Sequence, residues 1–184
     1  MYWYKAVRKT ILNTSVLLLL GSGYACNKPE IKETGAELKY FDIKGYFNQE
    51  ATRLVKLDPE VTKSVSHNGT SESKKVHVKA WQQELNLFAE SDINKPAWRN
   101  SYTVKNNADS TVYTANDSEL KTRQIVIKKQ GDKITAVTIV NNTHNFLYNT
   151  SERLVYLPGQ YYSIDKKQQV KVMGANDYRV KGNF

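Results

Sequence analysis

The chain has 184 residues, of which 40% are hydrophobic and 24% charged, and a formal net charge of +9 at pH 7. That is the length of one domain, long enough to bury about 70% of its unfolded surface without a covalent staple. The single cysteine, Cys26, excludes disulfides within one chain and, by its position near the N-terminus, a thiol nucleophile in the body.

The first 26 residues have the layout of a secretory signal. Lys5, Arg8 and Lys9 form a basic region. Ile11 to Leu20 is a mostly apolar stretch, strongest over Val16–Leu20, and Gly21–Ala25 is a short run of mainly small residues ending at Cys26. A membrane-spanning helix needs about 20 apolar residues, and this run is shorter and interrupted by Asn13, Thr14 and Ser15. At Cys26 the chain resembles the bacterial lipoproteins. The resemblance covers residues 1–26 only and departs from the usual box in carrying Gly23 where that box has leucine. It implies removal of residues 1–25, acylation of Cys26 (palmitate among the chains) and an exported protein held on a membrane by more than one acyl chain. Plain secretion with a cut at the same small-x-small site, Gly23-Tyr24-Ala25, is the alternative. Asn27, where the family's inner-membrane retention signal has aspartate, implies the outer membrane of a diderm bacterium. The Asn-, Lys- and Tyr-rich body is similar in style to small envelope lipoproteins of the Bacteroidota.

Residues 26–39 are polar and broken at Gly35, the composition of a flexible tether. Residues 40–184 then read as a single α+β domain. Tyr40, Ile43, Phe47, Ala51, Leu54 and Val55 recur at helical spacing, and Asp58-Pro59 ends that helix. Glu60 to Val78 reads as a hairpin about Asn68-Gly69. Trp81, Leu85 and Phe88 share one face of a second helix that stops before Ser91. Beyond Pro96 come short strands rich in β-branched and aromatic residues: Arg99–Lys105, Thr111–Ala115, Thr122–Lys129, Lys133–Val140, Phe146–Leu157 with a break near Thr150-Ser151, Tyr161–Asp165, Gln169–Met173 and Tyr178–Lys181. Their turns fall at Gly131-Asp132, Asn141-Asn142, Pro158-Gly159, Asp165-Lys166-Lys167 and Gly174–Asp177. Connections this short join antiparallel neighbours. The expected architecture is therefore two N-terminal helices flanking a hairpin, followed by a curled antiparallel meander.

A two-residue turn at Gly131-Asp132 pairs Gln130 with Lys133 and the residues beyond them in the same register, which places Ile125, Ile127, Ile134, Ala136 and Val140 on one face. Val126, Val137 and Ile139 then fall on the other. Two apolar faces predict that both are covered, by helices on one side and, on the other, by closure into a half-barrel or by an amphiphile in a concave cavity. That shape resembles the Lol-type lipoprotein carriers and, less closely, the lipocalins.

Residues 26–120 carry 13 Lys and Arg against 14 Asp and Glu, whereas residues 121–184 carry 11 against 4. In an exported protein the available polyanions are lipid head groups and acidic glycans rather than nucleic acid. Lys128, Lys129, Lys133, Lys166, Lys167 and Lys171 also suit solvated turns and strand edges.

Catalytic signatures do not emerge. His67 and His144 flank Asn-rich turns, and His77 falls opposite Glu60 as a cross-strand pair, whereas a metal site wants three or four suitably spaced ligands. No nucleophile elbow, P-loop or dinucleotide fingerprint is present. Neither a cofactor nor a metal is expected. Five of the 12 tyrosines, Tyr148, Tyr156, Tyr161, Tyr162 and Tyr178, crowd the C-terminal half, as a sugar-stacking row or as ordinary strand residues. Asp109-Ser110-Thr111 is similar to the short acceptor motif of Bacteroidota O-glycosylation, with Ser110 the acceptor. The expectation is a non-enzymatic envelope lipoprotein, attached through its N-terminal lipid, that binds a protein partner or an amphiphile. A glycan-binding accessory lipoprotein is the second reading, and a small envelope hydrolase the third.

Overall fold

The computed structural model describes residues 38–171 and 174–184; the signal, Cys26 and nearly all of the tether lie outside them. Helix α1 runs Ile43–Leu57. The Asp42 carboxylate caps its start by accepting from the Gly45 N–H at 2.7 Å, which satisfies one of the free donors of the first turn. At its end Asp58 takes a left-handed conformation and donates its N–H to the Leu54 carbonyl at 2.9 Å, after which Pro59 prevents continuation. Ile43, Phe47, Ala51 and Leu54, three to four residues apart, are the buried face.

Strands β1 (Glu60–His67) and β2 (Thr70–His77) follow as the hairpin. Asn68 and Gly69 both have positive φ, 49° and 88°, the geometry of a tight hairpin turn that an asparagine and a glycine tolerate. The expected second helix is two single turns, α2 (Trp81–Glu84) and α3 (Asn86–Ala89), broken at Leu85. Trp81, Leu85 and Phe88 are nonetheless all buried. A 3-10 turn at Pro96–Trp98 leads into β3 (Tyr102–Asn106), β4 (Ser110–Ala115), β5 (Thr122–Gln130), β6 (Lys133–His144), β7 (Tyr148–Leu157), β8 (Tyr161–Val170) and β9 (Gly174–Asn183).

All nine strands form one antiparallel sheet in the order β2-β1-β9-β8-β7-β6-β5-β4-β3. The meander is continuous from β3 to β9, and the N-terminal hairpin adds to its last strand. The sheet dominates the α+β fold. Its edges, β2 and β3, do not meet, so it is not closed into a half-barrel.

The helices cover one face only. Tyr156 and Tyr162, paired across β7 and β8, both point to it, and their hydroxyls donate to Glu50 of α1 at 2.5 Å and Glu84 of α2 at 2.7 Å. Phe47, Phe88 and Tyr156 form an aromatic cluster with centroids 4.7–6.1 Å apart, Tyr156 meeting both phenylalanines edge-on. The ring of Tyr162 lies directly over Gly182, its cross-strand partner: a Cβ there would stand 2.2 Å from the ring. Glycine is required by that close approach.

The register between β5 and β6 corrects the two-faced reading. Gln130 pairs with Lys133 and Lys129 with Ile134, as the turn dictates, but Lys128 then pairs with Ala136. Thr135 is left over as a β-bulge, and the pairs from Lys128–Ala136 to Gln124–Val140 are shifted by one residue, which sends their side chains to the opposite face. A second irregularity at Arg123 restores the register at Thr122–Asn141. Ile125, Ile127, Val137 and Ile139 therefore share the helix-covered face and are at most 1% exposed. Val126, Ala136, Thr138 and Val140 fall together on the other face, where each is half-buried. One apolar face remains, and nothing about β5 and β6 demands closure or an amphiphile on the second.

Three expected turns are strand. Asp165-Lys166-Lys167 lies within β8, because alternation gives the charges cross-strand partners: Lys166 Nζ is 3.4 Å from Glu152, and Arg179 is hydrogen-bonded to Asp165. Asn141-Asn142 lies within β6, where buried Asn141 donates to the Ser91 hydroxyl at 2.9 Å. Thr150-Ser151 does not break β7, since β6 and β8 pair with it on either side, and Gly174–Asp177 is the start of β9. Phe146, expected in a strand, sits instead in the β6–β7 turn.

Candidate functional site

At the β6–β7 turn end of the sheet lies an open cleft of about 640 Å³. Its floor is two cross-strand rungs. His144, Asn149, Gln169 and Ala175 form the outer one, and Asn142, Ser151, Lys167 and Asp177 the inner. Strand alternation turns both rungs away from the helices, because the intervening positions Glu152 and Thr150 belong to the covered face. The β1–β2 turn forms a wall and is tied down from both sides. Asn68 donates its backbone N–H to the Asp177 carbonyl at 2.9 Å, while its side chain accepts from the Asp177 N–H at 2.8 Å and donates to Asn176 at 3.3 Å.

The lining is dominated by amides and hydroxyls. On the face the two rungs present, Asn142, Asn149 and Gln169 each offer donor and acceptor atoms and Ser151 adds a hydroxyl. Thr143, Thr150, Gln168 and Asn176, also at the cleft, form the intervening row that alternates to the opposite side. The cleft's charges are Lys167 and Asp177, which face each other across β8 and β9. Such a surface can exchange neutral hydrogen bonds with a ligand between the apolar stems that make up much of its exposed lining, but it offers no concentrated positive charge for a phosphate.

Beneath it, on the covered face, Glu152 is 6% exposed, 3.4 Å from Lys166 Nζ and 3.4 Å from the Asn141 amide. A buried carboxylate needs such partners. The Asn141 side-chain oxygen and the Thr150 hydroxyl have no hydrogen-bond partner among the described residues.

Elsewhere Glu50, Asp58, Glu60, Glu84 and Asp165 are each held in an ion pair. Burial pushes the Glu50 carboxyl up, but hydrogen bonds from Arg53 and Tyr156 outweigh it and hold the group below its ordinary value. It is thus poorly suited to act as a general acid. Burial, reinforced by Glu50 and Glu84 respectively, pushes the Tyr156 and Tyr162 hydroxyls far above theirs. Burial likewise raises Tyr102, to about 12.

The residues singled out in the sequence are scattered. His67 stacks on Tyr178 with ring centroids 4.3 Å apart. Glu60 and His77 are cross-strand partners, yet the His77 ring turns to Asp58, with Nδ1 2.9 Å from its carbonyl, and Glu60 takes Lys75 at 2.8 Å. His144 alone of the three lies in the cleft. Among the described residues, no group of three His, Cys, Asp or Glu could hold a metal ion. The tyrosines do not form a row: Tyr156 and Tyr162 are fully buried, Tyr148 and Tyr161 half-buried, and Tyr178 exposed. Ser110 opens β4, half-buried, and donates to Asp109 at 3.2 Å. Lys128, Lys129, Lys133, Lys167 and Lys171 are exposed, and Lys166 is half-buried against Glu152. Cys26 lies outside the described residues. No helix among the described residues is long and apolar enough to cross a membrane.

Sequence reading missed the cleft because its residues are contiguous only across four strands, and because Asn141-Asn142 and Lys166-Lys167 look like turns. No family model, curated protein or solved structure matches the chain.

Proposed function

We propose that the protein is a non-enzymatic, lipid-anchored envelope protein whose cleft binds a neutral, hydroxyl-rich ligand, a carbohydrate. The observation that carries this reading is the convergence of three amides, Asn142, Asn149 and Gln169, and the Ser151 hydroxyl on two cross-strand rungs of the sheet. Sugar hydroxyls both donate and accept, and asparagine and glutamine side chains match them on both counts. A floor carried on strands holds its groups in place more firmly than one carried on loops. The attachment through Cys26 rests on the resemblance of residues 1–26 to lipoprotein signals.

The test is a screen of the full chain against neutral and acidic oligosaccharides, followed by Asn142→Ala and Gln169→Ala. Both positions face the cleft, so each substitution should weaken binding at least tenfold while leaving the melting temperature within a few degrees. Binding that survives both substitutions would place the ligand elsewhere.

A further inference from the structure

A second surface at the same end of the sheet has a different chemistry. The turn between β6 and β7 carries Phe146, 82% exposed, and Leu147, 63% exposed. These are the two most exposed large apolar side chains among the described residues. The turn that presents them is well held. The Asn145 side chain accepts from the Leu147 and Tyr148 N–H groups, both at 2.9 Å, and the Asn145 N–H donates to the Tyr148 carbonyl at 3.0 Å. From the adjacent strand end, the Lys171 N–H donates to the Leu147 carbonyl at 3.1 Å. The Lys171 ammonium lies 4.2 Å from the Phe146 ring centroid.

The surroundings are cationic. From Lys133 to Ser151 the sequence has no acidic residue. Lys167 lies on the neighbouring strand, opposite Ser151, with Asp177 across from it as the nearest opposing charge on that row. An exposed aromatic–aliphatic pair on a fixed turn, with lysine beside it, fits the boundary of an anionic bilayer. The apolar pair enters the acyl region while the ammonium meets lipid phosphates.

We propose that the Phe146-Leu147 tip docks the domain onto an anionic lipid bilayer. The tip adjoins the outer rung of the cleft at His144 and Asn149, but the proposal does not rest on the carbohydrate reading. The charge around the tip selects the bilayer over a second copy of the chain, because a symmetric tip-to-tip contact would bring two Lys171 side chains together.

The test uses the full chain carrying Cys26→Ser with Phe146→Cys, labelled with an environment-sensitive fluorophore, and a control labelled at Leu57→Cys. Leu57 is 62% exposed at the end of α1. Vesicles of phosphatidylcholine with 30–40% phosphatidylglycerol (roughly the anionic content that gives such charge attraction its force) are the probe. The label at 146 should shift to the blue and be quenched by spin-labelled lipid, while the label at 57 should do neither. Lys171→Gln should weaken the response on the order of fivefold, the effect of about one lysine near an anionic surface. Three outcomes would overturn the proposal. The label at 146 could stay in water, it could respond equally in pure phosphatidylcholine and to Lys171→Gln, or it could shift with protein concentration before vesicles are added. The last would assign the tip to self-association.

Discussion

Val137 and Thr138 are adjacent in β6, and the Thr135 bulge decides which of them is core. Val137 is fully buried opposite Ile127 and beside Tyr156, whereas Thr138 is half-buried on the opposite face beside Val126 and Val155. Truncating Val137 to alanine removes two methyl groups, about 1.6 kcal/mol at 0.8 kcal/mol per group. The void left among Ile127, Ile139 and Tyr156 adds to this, for a total of about 2–3 kcal/mol. Val126→Ala on the far face removes the same two groups from a site that never fully left water, and should cost less than about 1 kcal/mol. Urea denaturation reports both, provided the slope m is unchanged so that the midpoint alone carries the difference. Val137→Asp should prevent folding, while Thr138→Asp should be tolerated. If Val126→Ala and Val137→Ala cost the same, the sheet is covered on both sides and the register argument fails.

Further outcomes follow from the packing and the ionisable groups. Gly182→Ala would drive a methyl into the Tyr162 ring and should destabilise by about 1–3 kcal/mol, read from thermal melts against a Lys133→Ala control at an exposed strand end. Tyr156→Phe removes a charge-assisted hydrogen bond to Glu50 and should cost about 1.5–3 kcal/mol, with a smaller cost once Glu50 is already glutamine. Tyr102, Tyr156 and Tyr162 titrate higher folded than unfolded, so their contribution is complete below about pH 10 and is lost as pH rises from there towards their folded values. Each can contribute a slope of up to about 1.4 kcal/mol per pH unit, and urea midpoints between pH 9 and 11.5 should fall accordingly. Glu50, held low, contributes stability above the ordinary carboxylate range that is lost as pH falls through its folded value. The acid limb of the same series should therefore flatten in Glu50→Gln.

The N-terminal half was readable because its signals are local. Helical spacing from Tyr40 to Val55, the Asp58-Pro59 stop and the Asn68-Gly69 turn each depend on residues close in sequence, and each fixes its element. The meander was legible in composition but not in register. A bulge such as that at Thr135 leaves no mark on a sequence whose Ile, Val and Thr all suit either face. Charged and amide runs misled for a related reason. Asp165-Lys166-Lys167 has turn composition, but its side chains alternate between a buried partner, Glu152, and an exposed one, Arg179, which is visible only once β7 and β9 are in place. The cleft inherits both difficulties, since its rungs exist only after four strands are correctly aligned. Phe146 and Leu147 were read as strand because they are apolar and adjoin a strand, whereas the Asn145 side chain turns the chain there instead.

The central claim is that the two polar rungs are a carbohydrate site. The most direct measurement is a two-dimensional nuclear magnetic resonance titration of the full chain with a neutral oligosaccharide, following side-chain amides. The account predicts saturable shifts concentrated at the amides of Asn142, Asn149 and Gln169, with those of Gln49 and Gln82 on the helical side unmoved. Shifts confined to the helical side, or no saturable shift with any neutral or acidic sugar, would contradict it.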